Sequence, residues 1–136
     1  MKNNQLMIYG AYGYAGELMV REAVAQGLRP IIAGRDDEKL KPIATELSLE
    51  CRAFGVRNTG SNLQDISVLL NCAGPFSATA EPLARACLAQ QIHYLDITGE
   101  IDIFRKCHAL DEEARQQNVL ILPGAGTDIV PTDCLA

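Results

Sequence analysis

Short apolar runs alternate along the chain with longer segments in which apolar residues recur at every third or fourth position. Short runs are typical of buried strands, whereas the wider spacing indicates helices with one buried face. The strands that this pattern predicts lie at residues 6–8, 30–34, 51–54, 67–72, 92–97 and 119–122. Six strands separated by helices predict an α/β fold, with a doubly wound parallel sheet covered by helices on both faces.

The segments between these strands carry helix signals. The first predicted helix spans residues 17–24, and its inner side contains Ala15, Leu18, Met19 and Ala23. The other signals are an acidic start at residues 35–38 with Pro42 as a delay or kink, helical turns at 61–65, a cap at Thr79 ahead of Pro82, a helix from Glu100 to Ala114, and a further start at Pro131 and Thr132.

Three glycines follow the first strand in a turn that leads into the first helix. They form the pattern Gly-x-x-Gly-x-x-Gly, in which the last two match the dinucleotide-binding fingerprint and the first lies one residue early. Glycine accepts positive φ and lets the backbone approach a pyrophosphate, while the N–H groups of the helix face the anion. The alternative is a structural tight turn beneath a packed helix. The predicted cofactor-binding residues are Gly10, Tyr12, Gly13, Tyr14, Ala15 and Gly16.

A glycine turn after the first strand is typical of a Rossmann-like sheet with the strand order 3-2-1-4-5-6, which binds its ligand at the carboxyl ends of the strands. The end of the second strand holds Arg35, where many NAD-binding domains have an acidic residue. A guanidinium matches a 2′-phosphate, so Arg35 favours NADP as the cofactor. The alternative is a solvated surface arginine. Asp36 is expected to turn away from the phosphate and cap the next helix.

Two further groups of residues follow strands at the same edge. The loop after the fourth strand is predicted either to contact the nicotinamide half of the cofactor or to be a plain strand-to-helix turn. After the fifth strand, two carboxylates and a hydroxyl are candidates for catalysis that could orient a substrate or a ribose, although their chemistry alone favours Thr98 as a cap of the next helix. These residues are Asn71, Cys72, Ala73, Gly74 and Pro75 for the first group, and Asp96, Thr98 and Glu100 for the second.

Composition narrows the classes of function. A chain of 136 residues with a formal net charge of −5 is large enough for one domain, and it has no basic cluster for nucleic acid or an anionic membrane. The five cysteines are dispersed without a C-x-x-C pair, which predicts reduced thiols and no metal site. The first apolar run is too short for a signal peptide or a membrane span, so a cytoplasmic location is expected. Formation of a homo-oligomer stays open.

Five motifs in order resemble those of one family. They are Gly10–Gly16, Ala33-Gly34-Arg35, Asn71-Cys72-Ala73-Gly74-Pro75-Phe76, His93–Glu100 and Pro123–Asp128. The chain is similar to the NADP-binding domain of saccharopine dehydrogenase-like oxidoreductases, a family that also includes trans-acting enoyl reductases. This resemblance implies that residues 10–16, Arg35 and the loop 71–75 line NADP(H). It also implies hydride transfer involving C–N or C=C bonds of a small-molecule substrate.

The resemblance covers almost the whole chain, so residues 1–136 are expected to form one NADP-binding domain. Relatives of this kind continue into a second domain that completes the substrate pocket, and we expect this chain to be the N-terminal part of such a protein, inactive by itself. A second hypothesis is a non-enzymatic NADP sensor, which would have the same cofactor contacts. A methyltransferase is a weaker alternative, because that chemistry favours an acidic residue at the position of Arg35.

Overall fold

The computed structural model describes residues 4–126 and 129–135 and contains a parallel sheet. The strands are β1 (Leu6–Tyr9), β2 (Ile31–Gly34), β3 (Cys51–Ala53), β4 (Val68–Asn71), β5 (His93–Asp96) and β6 (Ile121–Leu122). The helices are α1 (Tyr14–Ala25), α2 (Asp37–Leu47), α3 (Phe76–Ala89), α4 (Ile101–His108), α5 (Asp111–Gln116) and α6 (Val130–Leu135), with a short 3-10 helix at Gly60–Leu63.

The strand order is β3-β2-β1-β4-β5-β6, and every pair is parallel, which confirms the predicted Rossmann-like sheet. β1 lies at the centre, with Tyr9 beside Ala33 of β2 on one side and beside Asn71 of β4 on the other. The carboxyl ends of β2, β1, β4 and β5 therefore meet at one edge, where the predicted site residues follow them in sequence.

The sheet has a buried face on each side because side chains alternate along a strand. Met7 and Tyr9 belong to one apolar cluster, and Ile8 between them belongs to the other. The first cluster includes residues of α3, α4 and α5, and the second includes residues of α1 and α2. Helices therefore cover both faces, as expected for strands that are almost continuously apolar.

The helix boundaries differ from the predicted ones in ways that bear on the site. α1 begins at Tyr14, three residues early, and buries Gly16, Val20 and Ala23, whereas Leu18 is 53% exposed and not on the inner side. α2 continues through Pro42. The prediction that Thr79 caps α3 is wrong, because the helix begins at Phe76 and Thr79 lies inside it. The single helix expected up to Ala114 is divided into α4 and α5.

Candidate functional site

Gly10 begins the turn after β1 and lies against the loop that follows β4. Its φ is +82°, a value that favours glycine, and its N–H donates to the carbonyl oxygen of Ala33 at 2.8 Å. A Cβ at this position would lie 2.7 Å from the backbone nitrogen of Ala73. A glycine is therefore needed here both for the backbone conformation and for the contact between the two loops.

Gly13 and Gly16 are glycines for different reasons. A Cβ on Gly16 would collide with the carbonyl oxygen of Gly10 and lie 2.8 Å from its carbonyl carbon, so this glycine lets α1 pack on the turn. Gly13 has a φ of −76°, so positive φ does not explain its presence. A Cβ there would lie no nearer than 3.4 Å to its closest neighbour, the oxygen of Gly10. The free space at Gly13 is part of a cavity.

Gly13 is also the N-cap of α1, and no side chain caps this helix. The first N–H groups of a helix have no partner within it, and together with the helix dipole they favour a bound anion. The start of α1 therefore offers backbone donors next to a residue that has no side chain. This arrangement suits a phosphate group.

A cavity of about 500 Å³ runs along the carboxyl ends of β3, β2, β1 and β4. Its lining residues are Tyr9, Gly10, Tyr12, Gly13, Gly34, Arg35, Gly55, Val56, Arg57, Cys72, Ala73, Gly74, Pro75, Ala78 and Thr79. The lining contains most of the residues predicted to bind the cofactor. Four predicted residues lie outside it: Tyr14 is 88% exposed, Ala15 is half-buried, and Gly16 and Asn71 are buried.

Tyr12 forms part of one wall of this cavity and contacts Lys39 of α2. The Tyr12 ring lies over Gly34, where a Cβ would come within 2.6 Å of its Cε1 atom. The ammonium of Lys39 lies 5.6 Å from the centre of the ring and pairs with the Asp36 carboxylate at 3.6 Å. Asp36 also accepts a hydrogen bond from the Lys39 N–H at 3.4 Å, so it caps α2 as expected.

The end of the cavity near β2 and β3 contains two arginines. Arg35 follows β2, as predicted, while Arg57 lies in the loop after β3 and was not predicted. That loop follows the carboxyl end of a parallel strand, which is the signal that could have identified it. Beneath it, the Tyr9 hydroxyl donates to the carbonyl oxygen of Phe54 at 2.9 Å. Burial raises the pKa of Tyr9 to about 12, although the charge of Arg35 opposes this rise.

The other end of the cavity rests on a buried polar network. The Asn71 amide donates to the Thr79 hydroxyl and to the Tyr94 hydroxyl, both at 3.1 Å. The N–H of Ala73 donates to the Asn71 side-chain oxygen at 3.0 Å, and Thr79 donates to the Ala73 carbonyl at 2.6 Å. Both backbone groups of Ala73 are therefore held by side chains, and this fixes the wall on which Gly10 packs.

Asp96 completes the network from the end of β5. One carboxylate oxygen accepts from the Tyr94 hydroxyl at 2.8 Å, and the other accepts from the N–H groups of Thr98 at 3.0 Å and Gly124 at 2.9 Å. The side chain is fully buried. Burial raises the pKa of the Tyr94 hydroxyl, and the charge of Asp96 raises it further. Asp96 thus fastens the loops after β5 and β6 to the sheet.

Thr98 and Glu100, the other two catalytic candidates, differ in their exposure to solvent. Thr98 is buried, and its hydroxyl accepts from the N–H of Glu100 at 3.1 Å, while Glu100 is exposed. None of the three candidates lines the cavity, and their role in catalysis stays a prediction. Cys72 does line it but is nearly buried, and burial, followed by the charge of Asp96, raises its thiol pKa to about 12. Thr127 and Asp128 of the last motif lie outside the described residues.

A parallel sheet of this order, with a glycine turn after its central strand and a cavity along the carboxyl edge, defines a Rossmann-type dinucleotide-binding domain. The sequence model of the saccharopine dehydrogenase NADP binding domain matches residues 6–122. The chain therefore belongs to the saccharopine dehydrogenase NADP-binding domain family.

Known relatives agree with this assignment. A saccharopine dehydrogenase-like oxidoreductase from Rattus norvegicus is 27% identical over 95% of this chain and 35% of its own length. A Mycobacterium tuberculosis relative named as a trans-acting enoyl reductase is 27% identical over 94% of this chain and 33% of its length. The chain thus spans about a third of the length of the curated relatives it matches.

Solved structures share the fold. The apo saccharopine dehydrogenase (L-Glu forming) of Saccharomyces cerevisiae superposes with a TM-score of 0.77 and 12% identity, covering 93% of this chain and 28% of that protein. GenD2 from gentamicin A biosynthesis, solved in complex with NAD, gives a TM-score of 0.67 and 16% identity, covering 91% of this chain and 35% of its own.

A nicotinamide dinucleotide, the cofactor of this family, fits the residues present. Gly13 leaves free space in the cavity beside an uncapped helix start, and Arg35 supplies a cation at the far end of the cavity. These are the features that a phosphorylated cofactor needs in a chain with a negative net charge.

The expected location needs correction. A relative in Arabidopsis thaliana is named as a mitochondrial protein, and one in Caenorhabditis elegans is named as a lipid droplet localized protein. A purely cytoplasmic location is therefore wrong as an inference from composition. Among the described helices, none is long and apolar enough to cross a membrane. The described residues also contain no cluster of three or more His, Cys, Asp or Glu side chains able to hold a metal ion.

Proposed function

We propose that residues 1–136 are the NADP(H)-binding domain of an oxidoreductase that transfers hydride between NADP(H) and a C=N or C=C bond of a small-molecule substrate. The observation that carries this proposal is the cavity along four strand ends, with the glycine turn in its middle and Arg35 at one end. The cofactor supplies or accepts the hydride, while the protein binds it and sets its orientation.

Each part of the proposed site has its own task. Gly13 and the start of α1 receive the pyrophosphate, because they combine free space with backbone donors, and Gly10 packs the turn against the loop after β4. Arg35 binds the 2′-phosphate. The loop 71–75 lies beside the nicotinamide half, and its backbone is fixed through Ala73. Tyr12, with its ring over Gly34, forms the wall beside the adenosine ribose.

The substrate pocket lies beyond this chain in the proposal, since the curated relatives are about three times as long. Within the described residues, no carboxylate or imidazole lines the cavity. That observation also suits the second candidate function, a non-enzymatic NADP sensor that binds the cofactor without chemistry. Calorimetric titration of the chain with NADPH, followed by an activity assay with imine and enoyl substrates, tests the cofactor binding that both candidates share and the assignment of the substrate pocket. We expect binding without turnover, and robust turnover would contradict the assignment of the substrate pocket to another part. The same activity assay on the full gene product separates the candidates, because an oxidoreductase turns substrate over and a sensor does not.

A comparison of NADPH and NADH affinities tests the role of Arg35. An arginine–phosphate hydrogen bond contributes about 1.5–3 kcal/mol, with solvent exposure favouring the lower value. We expect Arg35→Ala to weaken NADPH binding about tenfold and to leave NADH binding nearly unchanged. The exposed, ion-paired Arg115, replaced by alanine, is the matched control. A wild type that prefers NADH, or an equal loss for both cofactors, would contradict the proposed orientation.

A further inference from the structure

Arg35 and Arg57 differ from all other cations of the described chain. Neither has an ion pair or a hydrogen bond to any residue in the ranges 4–126 and 129–135. Every other described lysine or arginine reaches a carboxylate or a backbone carbonyl. Both of these unpaired arginines line the same cavity. Two arginines without a partner among the described residues thus lie in a single cavity.

The fold brings these arginines together. β2 and β3 are neighbouring parallel strands, with Gly34 beside Ala53, so Arg35 and the loop after β3 emerge at one edge. The N–H of Phe54 donates to the Gly34 carbonyl at 2.9 Å, and the Phe54 ring packs on Tyr9 with the ring centres 5.2 Å apart. The start of the loop that carries Arg57 is thereby fastened to the strand end that precedes Arg35.

The charge at this end is opposite to that of the whole chain. The formal net charge is −5, yet no described acidic residue lines the cavity. Asp36, the carboxylate next to Arg35 in sequence, is engaged by Lys39 and by the start of α2. Two like charges without a neutralising partner repel each other, and a bound anion removes that cost.

We propose that Arg57 is a second phosphate-binding residue, which acts with Arg35 on the 2′-phosphate of NADP(H); this inference rests on the proposed function. A phosphate monoester carries nearly two negative charges at neutral pH and has three acceptor oxygens. One guanidinium neutralises only part of that charge, whereas two guanidinium groups from adjacent loops match both the charge and the number of acceptors. Arg57 thereby contributes to the preference for NADP over NAD.

The test measures dissociation constants of wild type, Arg57→Ala, Arg35→Ala and the double variant by calorimetry at one salt concentration. The probes are NADPH, NADH, adenosine 2′,5′-bisphosphate and 5′-AMP, of which only the first and third carry the 2′-phosphate. We expect Arg57→Ala to weaken binding of these two about fivefold to tenfold and to change the others less than twofold. Affinity of the wild type for the bisphosphate should fall more steeply with salt than that of Arg57→Ala.

The outcomes separate this inference from the function on which it rests. An equal loss for NADPH and NADH in Arg57→Ala would place Arg57 on the adenine or ribose and overturn the inference. Unchanged NADPH affinity in Arg57→Ala, in a wild type that prefers NADPH, would also overturn it and leave the proposed function standing. A wild type that binds neither cofactor would overturn both. Arg115→Ala, which removes one exposed, ion-paired cation outside the cavity lining, should match the wild type throughout.

Discussion

At the β2–β3 end of the cavity, Arg35 and Arg57 meet no described protein partner, whereas beneath the β4–β5 end Asn71, Tyr94 and Asp96 are buried and hydrogen-bonded to one another. No buried side-chain nitrogen or oxygen in the described residues lacks a hydrogen-bond partner. The arginines at the β2–β3 end therefore remain able to form hydrogen bonds and ion pairs with a ligand. The polar side chains beneath the β4–β5 end already form their hydrogen bonds within the protein.

This difference follows from the cost of burial. Water hydrates an exposed guanidinium, so leaving it without a protein partner costs little free energy. A buried polar group, in contrast, must be hydrogen-bonded within the fold. Asp96 is fully buried and accepts from Tyr94, Thr98 and Gly124, so its carboxylate is closed to a substrate in this structure. It acts on a ligand indirectly, by fixing the backbone of Ala73 and the loops around it.

The glycine turn lies between the two regions and has two roles, packing against α1 and, in the proposed function, binding the cofactor. A pair of substitutions should separate these roles, and we expect the largest effects of all the variants here. In Gly16→Ala, the new Cβ meets the Gly10 carbonyl, and overpacking of this kind should lower the free energy of unfolding by about 3 kcal/mol or more. In Gly13→Val, the φ of −76° suits valine and the side chain enters the cavity. This variant should lose about 1 kcal/mol or less in stability but have no measurable NADPH binding.

Urea denaturation and NADPH titration on the same samples provide both numbers. A Gly16→Ala protein as stable as the wild type would show that the contact with Gly10 relaxes without cost. Undiminished NADPH affinity in Gly13→Val would place the pyrophosphate elsewhere.

Asp96→Asn should have the next largest effect, because it disrupts the buried hydrogen-bond network beneath the β4–β5 end. An asparagine keeps the size but has only one acceptor oxygen, so at least one of the donors from Tyr94, Thr98 and Gly124 loses its partner. An unsatisfied buried donor costs about 1–3 kcal/mol, and we expect a loss near 2 kcal/mol in the free energy of unfolding. The control is Glu100→Gln, an exposed site in the same segment, which should change stability by about 0.5 kcal/mol or less. Equal effects in the two variants would mean that the network adds nothing to stability.

The sequence predicted the regions that depend on local pattern. The strand order followed from six apolar runs and one glycine turn, because both signals are contained in short segments. Arg57 was missed because it lies four residues beyond a strand of only three residues, and its place in a loop after a parallel strand is the one signal that marks it. The hydrogen bonds of Asp96 were also not predictable, since Gly124 lies 28 residues away in sequence. The cap at Thr79 was mispredicted because the hydroxyl binds the Ala73 carbonyl instead of the helix start.

Cys72 lies where the two regions meet, and its titration should give the smallest effect. Its thiol pKa is raised from 9.0 to about 12 by burial and by Asp96, so the folded state holds this proton more tightly than the unfolded state. The corresponding stability is present below pH 9 and is lost as the pH rises towards 12. Each unit of pKa corresponds to about 1.4 kcal/mol, so a single such thiol should cost roughly 1 kcal/mol of stability between pH 8 and 10.

We therefore expect Cys72→Ala to lose about 1 kcal/mol less than the wild type over that interval, measured by urea denaturation at each pH. Cys87 and Cys107 have thiol pKa values raised to about 12 and 11 by burial, so they keep part of the alkaline sensitivity in every variant. Cys134→Ala removes an exposed thiol and is the matched control. If Cys134→Ala and Cys72→Ala gave the same pH dependence, the Cys72 thiol would have to be as accessible to water as an exposed one. The buried region around Asn71, Tyr94 and Asp96 would then not extend to the cavity wall at Cys72.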